Sequence, residues 1–168
     1  KGIADPLNDP GGRLCYSHWK DTYNNLWLFG GCAATNGAPY FSDMWKYDLS
    51  INEWTWMSGS NLQNDSGNYH SFCKYDSLQY PSCRWENKAC WTDTCGTFWM
   101  MGGRFNEYLN DLWRFNPISN QWKLVNGDIA NNSLGNFGTM GVPAITNSCP
   151  SRFGAVSWDD QNGNLWLF

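Results

Sequence analysis

The chain has 168 residues, a net charge of −4 and twelve tryptophans, with aromatic residues at 17% and charged residues at only 15%. This length allows one domain, and an acidic chain is a poor partner for nucleic acid or for an anionic membrane surface. The sequence holds no apolar run of the ~20 residues that span a bilayer, so no membrane span is expected.

Tryptophans recur in a fixed register along the chain. The landmarks repeat at intervals of 72 and 67 residues for the first two sets and 68 for the others, as Trp19/Trp91/Trp158, Trp27/Trp99/Trp166, Trp45/Trp113 and Trp54/Trp122. Arg13, Arg84 and Arg152 and the dipeptides Asp43-Met44 and Asp111-Leu112 follow the same register. A fixed period with aromatic landmarks indicates one structural unit used several times. The sequence holds two such units and part of a third.

Short aromatic segments bounded by turn residues predict β-strands within each unit. In chain order we expect strands near 14–20, 25–30, 42–48, 53–58, 85–92, 97–102, 109–115, 121–125, 153–159 and 164–168. Asn162-Gly163 is a strong signal for a two-residue hairpin turn, since both positions accept positive φ. No stretch predicts an amphipathic helix. Four antiparallel strands per unit of about 70 residues describe a propeller blade.

Two pairs of landmarks define each unit further. Gly30-Gly31 and Gly102-Gly103 end the second strand, where the chain must bend tightly or admit another backbone. An aromatic residue and a tryptophan then follow seven residues apart, as Tyr47/Trp54 and Phe115/Trp122. With the four strands, these motifs resemble the long kelch repeats of secreted and surface proteins of microbes.

The resemblance covers nearly the whole chain and implies an all-β fold. It predicts about two and a half blades of four antiparallel strands, as a segment of a larger propeller or array related in fold to galactose oxidase. The expected blade hairpins are residues 13–31, 42–58, 84–103, 109–126 and 152–168 of one kelch-type segment, 1–168. Kelch propellers of six or seven blades would need further blades.

Seven cysteines suggest an oxidising compartment. Cys15 and Cys32 lie on and just beyond neighbouring strands of one hairpin, so a disulfide between them is expected. Their counterparts in the next unit are an acid and a base, Glu86 and Arg104, which also favours contact. Cys73–Cys83 and Cys90–Cys95 are the preferred local pairs among three possible connectivities. Cys149 is left over. The spacings do not suit a zinc site.

Secretion is also favoured by the glycosylation sequons. Asn64-Asp65-Ser66 and Asn131-Asn132-Ser133 both follow the fourth strand of a unit, so Asn64 and Asn131 are expected to carry glycans. Because Lys1 is not an initiator, the sequence is expected to be a mature or internal piece of a longer polypeptide.

Catalytic patterns are weak in this sequence. Galactose-oxidase-like propellers can hold copper with two histidines and two tyrosines, but here only Tyr69-His70 is similar, and no cofactor or metal is expected. Asp21, Asp93 and Asp160 recur beside hairpin turns, where a carboxylate caps backbone N–H groups. The three recurring arginines could line a channel, but a structural role is favoured.

Three functions remain open at this stage. The preferred one is a non-enzymatic extracellular glycoprotein module, structural or adhesive, whose kelch propeller mediates self-assembly or attachment to other surface proteins. Carbohydrate is a possible second ligand. The alternatives are a fragment of a secreted galactose-oxidase-like or carbohydrate-active enzyme, and a cytosolic kelch adaptor.

Overall fold

The computed structural model describes residues 1–33, 38–87, 89–160 and 162–168, and within these residues all regular structure is β. The part described contains no helix that could cross a bilayer. In the described residues the strands are, in chain order, β1 (Ala4–Asp5), β2 (Arg13–Leu14), β3 (Ser17–Lys20), β4 (Leu26–Phe29), β5 (Cys32–Ala33), β6 (Ser42–Asp48), β7 (Glu53–Ser60), β8 (Cys90–Thr92), β9 (Phe98–Phe105), β10 (Glu107–Asn116), β11 (Gln121–Asn126), β12 (Ser157–Asp159) and β13 (Leu165–Leu167). The predicted all-β fold is confirmed.

The strands form two complete antiparallel blades and the start of a third. The first blade has the order β1-β7-β6-β4-β3, the second β11-β10-β9-β8, and the third is the hairpin β12-β13. In the first blade β1 adds an outer strand that the repeat pattern did not predict. The predicted first strand near 14–20 is also divided, because β2 pairs separately with β5.

Each blade's first hairpin is closed by the recurring aspartate. Asp21 accepts the Nε1–H of Trp27 at 2.8 Å and the backbone N–H groups of its own turn. The carboxylate of Asp93 does the same for Trp99 at 2.8 Å, and that of Asp160 for Trp166 at 2.9 Å. The recurring aspartates therefore serve the turns, as predicted, and also fix a tryptophan on the following strand.

Neighbouring blades pack face to face through the tryptophan register. The core between the first and second blades consists of Trp19, Trp27, Phe29, Met44, Phe98, Met100, Trp113, Phe115, Trp122 and Leu124. Trp19 stacks on Phe98 with ring centroids 5.4 Å apart and planes 9° from parallel. The first strands β3, β8 and β12 lie beside one another in turn, which gives the blades a common inner edge. This is the radial arrangement of a propeller.

The Gly-Gly pairs form the junction between blades. The N–H of Gly31 donates to the carbonyl of Arg84 in the next blade at 2.8 Å, and the N–H of Gly103 donates to Arg152 at 2.9 Å. A Cβ on Gly30 would lie 2.9 Å from the Arg84 oxygen, and one on Gly102 2.7 Å from the Arg152 oxygen. All four glycines have φ between 69° and 99°. Of the two reasons expected for the Gly-Gly pairs, a tight bend or the close approach of another backbone, the structure shows the close approach.

Replacing Gly102 by alanine is expected to destabilise the chain beyond the cost of positive φ alone. Gly102 has a φ of 70° and would press a methyl group against the carbonyls of Arg152 and Leu109. Left-handed backbone costs alanine about 1–2 kcal/mol, and the clash adds about 1–3 kcal/mol more. Urea unfolding followed by tryptophan fluorescence measures the loss.

Gly96→Ala is the matched control in the same blade. Gly96 has a φ of 75°, but its nearest neighbour to a new Cβ is the Cγ2 of Thr22, at 3.4 Å. Equal losses for the two variants would contradict the junction described here.

Candidate functional site

In the first and second blades the recurring arginine holds the start of the blade through an ion pair with an aspartate. The guanidinium of Arg84 donates to both carboxylate oxygens of Asp111 at 2.7 Å and to the carbonyl of Gly102 at 3.0 Å. Trp113 donates its Nε1–H to the same aspartate at 2.7 Å. The side chains of Arg84 and Asp111 are 0% and 1% exposed. Arg84 is thus inside the blade and does not line a channel.

The first blade repeats this cluster in a more open form. Arg13 donates to Asp43 at 2.6 and 3.0 Å and to the carbonyl of Gly30 at 3.0 Å, and Trp45 donates to Asp43 at 2.7 Å. Arg13 also lies over the ring of Phe41 at 4.5 Å. The structural role predicted for the recurring arginines is seen in both units.

Charged and hydrogen-bonding neighbours lower the pKa of Asp111 and of Asp93. Burial alone would raise the pKa of Asp111, but the guanidinium of Arg84 and the hydrogen bonds it receives hold that pKa below its ordinary value. Burial likewise opposes ionisation of Asp93, and bonds from Thr97 and Trp99 lower its pKa to about 2. Because the pKa of Asp93 is lower in the folded state, its carboxylate contributes its full stabilisation of the fold above pH 3.8. This stabilisation is lost as the pH falls towards 2.

Tyr69 and His70 do not combine into a metal site. The hydroxyl of Tyr69 donates to Asp111 at 2.9 Å, and burial raises its pKa to about 12. His70 instead places Nδ1 2.5 Å from the carboxylate of Asp76 in the same loop. Among the described residues, no group of three or more His, Cys, Asp or Glu side chains could hold a metal ion. Tyr69 therefore belongs to the scaffold of the second blade.

The structure does not support the expected Cys15–Cys32 disulfide. Leu14, not Cys15, lies opposite Cys32. Cys15 has a φ of 55°, and its Sγ lies 3.2 Å from the carboxylate of Glu86 in the next blade. The equivalence of Cys15 and Glu86 holds, since Glu86 has a φ of 54°.

The structure does not support the other expected disulfides either. Cys90 lies on β8, whereas Cys95 lies in the following turn. Cys73 contacts β11 through the carbonyl of Leu124, while Cys83 is bonded to Asp65 and buried. Burial raises the pKa of the Cys83 thiol to about 12.

The two sequons lie in corresponding loops but are one residue out of register. Asn64 has a φ of 57° and exchanges bonds with Tyr40, whose N–H donates to the side chain of Asn64 at 3.0 Å. Its structural equivalent is Asn132, which has the same φ and holds the N–H of Tyr108 at 3.1 Å. Asn64 and Asn131 are both exposed. Asn64 thus has a structural role that Asn131 lacks.

The outward faces of the first and third blades both expose aromatic side chains. In the third blade, Trp158 and Trp166 stack on each other and are 46% and 48% exposed. Their counterparts Trp19 and Trp27 are 5% and 3% exposed, because the second blade covers them. We call the surface formed by Trp158, Trp166 and Phe168 the trailing face.

The leading face lies on the other side of the first blade. It surrounds a cavity of about 650 Å³ whose lining includes Tyr16, His18, Leu26, Leu28 and Trp54. In the second blade the counterparts of Leu26 and Leu28 are Phe98 and Met100, and both are fully buried against the first blade. Trp54 pairs with Tyr47 at 4.9 Å, as Trp122 pairs with Phe115 at 4.8 Å. The leading face therefore has the residue positions of a blade-packing surface, but no blade among the described residues covers it.

These observations define the class of protein as a segment of a β-propeller, with its blades joined by Gly-Gly junctions. Two family profiles, each described as the kelch motif, match residues 23–61 and 96–127. A search of curated proteins finds no similar sequence. The two matches support a kelch-repeat family, and kelch repeats typically mediate protein–protein interactions.

Asp111→Asn is expected to lower the free energy of unfolding by about 3–5 kcal/mol, because it leaves the Arg84 charge buried without a countercharge. Asp43→Asn is the matched control, and it should cost less because the side chain of Asp43 is 11% exposed rather than 1%. Urea unfolding at pH 7 compares the two variants. A cost below 1 kcal/mol for Asp111→Asn would contradict a structural role for the pair.

Proposed function

We propose that this chain is a non-enzymatic binding module of an extracellular or cell-surface glycoprotein, in which the kelch propeller mediates protein assembly or surface attachment. The observation that carries the proposal is the pair of open blade faces. Trp158 and Trp166 occupy positions that in the first blade are buried as Trp19 and Trp27, where the second blade covers them. An aromatic surface of this kind is suited to receive another protein surface.

The internal repeat indicates how such a contact would be made. Between the first two blades, aromatic rings stack and the N–H of Gly31 bonds the next blade's backbone. The trailing face offers the same tryptophans, and the leading face offers the same apolar positions. The complementary blade can come from the same polypeptide or from another chain, and the second case makes these tryptophans a protein assembly surface.

The extracellular location is supported by the sequons and not by the cysteines. Asn64 and Asn131 are exposed on loops that follow the fourth strand of a blade. A glycan on the Nδ2 of Asn64 would leave its oxygen available to hold Tyr40. Carbohydrate binding has less support, because Trp56 and Trp85 contact Lys1 and Tyr40 within the chain.

Hydroxyl-radical footprinting of the native protein tests the assembly surface. In the protein isolated from its source, Trp158, Trp166 and Leu26 are expected to be protected relative to the isolated chain 1–168. Met140 is the control, since it is 98% exposed and lies on neither face. Equal oxidation of the two tryptophans in both samples would contradict the proposal.

The mass of the parent polypeptide, measured before and after deglycosylation, completes this experiment. A loss of mass supports the glycoprotein part of the proposal. An unchanged mass, with Asn64 and Asn131 found bare by peptide mapping, would overturn that part.

A further inference from the structure

A groove between the first and second blades has an occupied counterpart within the same chain. We call it the Asp21 groove. It has a volume of about 320 Å³ and is lined by Asp21, Tyr23, Trp27, Lys46, Met57 and Ile118, among others. It lies where the first blade's hairpin turn meets the second blade, since Gly96 and Cys95 form part of its wall. It shares Trp27 with the cavity of the leading face and is separate from the trailing face.

In the second blade the corresponding position is filled by an arginine. Arg114 donates its Nε–H to the hydroxyl of Thr97 and an Nη2–H to the carboxylate of Asp93, both at 2.7 Å. Its guanidinium lies 5.0 Å from the ring centre of Trp99. Asp93 also accepts the Nε1–H of Trp99 at 2.8 Å. Carboxylate, hydroxyl and indole together form a compact guanidinium site.

The first blade keeps the carboxylate and the indole but lacks the guanidinium. Trp27 donates to the Oδ2 of Asp21 at 2.8 Å, as in the second blade. Lys46 stands opposite Trp27 in the sheet, where Arg114 stands opposite Trp99. However, the ammonium of Lys46 lies 3.7 Å from Asp48. Within the part of the chain that the structure describes, Asp21 has no ion pair.

The surroundings of Asp21 favour a cation carried on a polypeptide. Oδ2 of Asp21 accepts from Asn25 and Trp27, whereas Oδ2 of Asp93 accepts from Thr97, Trp99 and Arg114. One acceptor position therefore stays open on Asp21. Tyr23 and Ile118 border the groove and are 82% and 90% exposed. They offer apolar contact to the residues on either side of an inserted side chain.

We propose that the Asp21 groove binds an arginine side chain of a partner protein, which takes the place that Arg114 fills in the second blade. The guanidinium bonds Oδ2 of Asp21 beside Trp27, and the flanking residues of the partner contact Tyr23 and Ile118. This assignment rests on the binding function proposed above, and it specifies that the partner protein presents an arginine side chain.

NMR titration with short peptides tests the groove directly. The probes are Ac-Leu-Arg-Leu-NH2, Ac-Gly-Arg-Gly-NH2 and Ac-Leu-Cit-Leu-NH2, in which citrulline is a neutral isostere of arginine. The indole ¹H–¹⁵N cross-peak of Trp27 is expected to shift and saturate with both arginine peptides, and leucine flanks should tighten binding about tenfold. The Trp99 cross-peak is the internal control and should not move, because Arg114 already fills its site. An unmoved Trp27 peak, or equal shifts with citrulline, would overturn the assignment.

Lys46→Arg is the decisive variant, because it should supply the missing guanidinium from within the chain. It is expected to weaken peptide binding at least about tenfold while leaving the fold intact. Asp21→Asn should abolish the shift, but it also removes a turn cap, so its spectrum must first show native dispersion. Wild-type affinity in Lys46→Arg would overturn the proposal. If the arginine site is wrong, the footprinting result for Trp158 and Trp166 is unaffected. The two experiments therefore test the two proposals independently.

Discussion

The contact of each Gly-Gly pair with the next blade's arginine backbone is the constraint on which the structure depends. Gly31 bonds the carbonyl of Arg84, and Gly30 leaves no room for a Cβ beside that oxygen. The side chain of Arg84 then binds Asp111 and the carbonyl of Gly102, the next glycine in the series. The backbone carbonyl of Arg84 thus bonds the preceding blade, while its guanidinium bonds residues of its own blade. This junction holds the first two blades close together, and the ring of Trp19 stacks on Phe98 between them.

Internal repetition gives each position a reference within the same molecule. A tryptophan exposed in the third blade has a buried counterpart in the first, which shows what kind of surface covers it. An aspartate without an ion pair in the first blade has a counterpart bound to arginine in the second. Such comparisons hold the backbone and the neighbouring residues nearly constant, so differences can be attributed to single side chains such as Lys46 and Arg114.

The repeat register, the strands and the turn aspartates could be predicted from sequence because they reflect local periodicity and turn chemistry. The structure does not support the expected disulfides, and the Cys15 thiol contacts the carboxylate of Glu86 in the next blade. The sequons matched in sequence spacing but not in structure, since Asn132 rather than Asn131 has the hydrogen bonds of Asn64. The Asp21 groove was missed, although the change from Lys46 to Arg114 at a repeat position was a visible signal.

Native-state hydrogen exchange of the Gly31 amide tests the junction most directly. This amide bonds a carbonyl of the next blade, so it can exchange only when the first two blades separate. We predict that its opening free energy equals the global free energy of unfolding, whereas the amide of Ser50, in an exposed turn, exchanges far faster. Exchange of Gly31 at the rate of Ser50 would show that the blades are not joined there and would contradict this account.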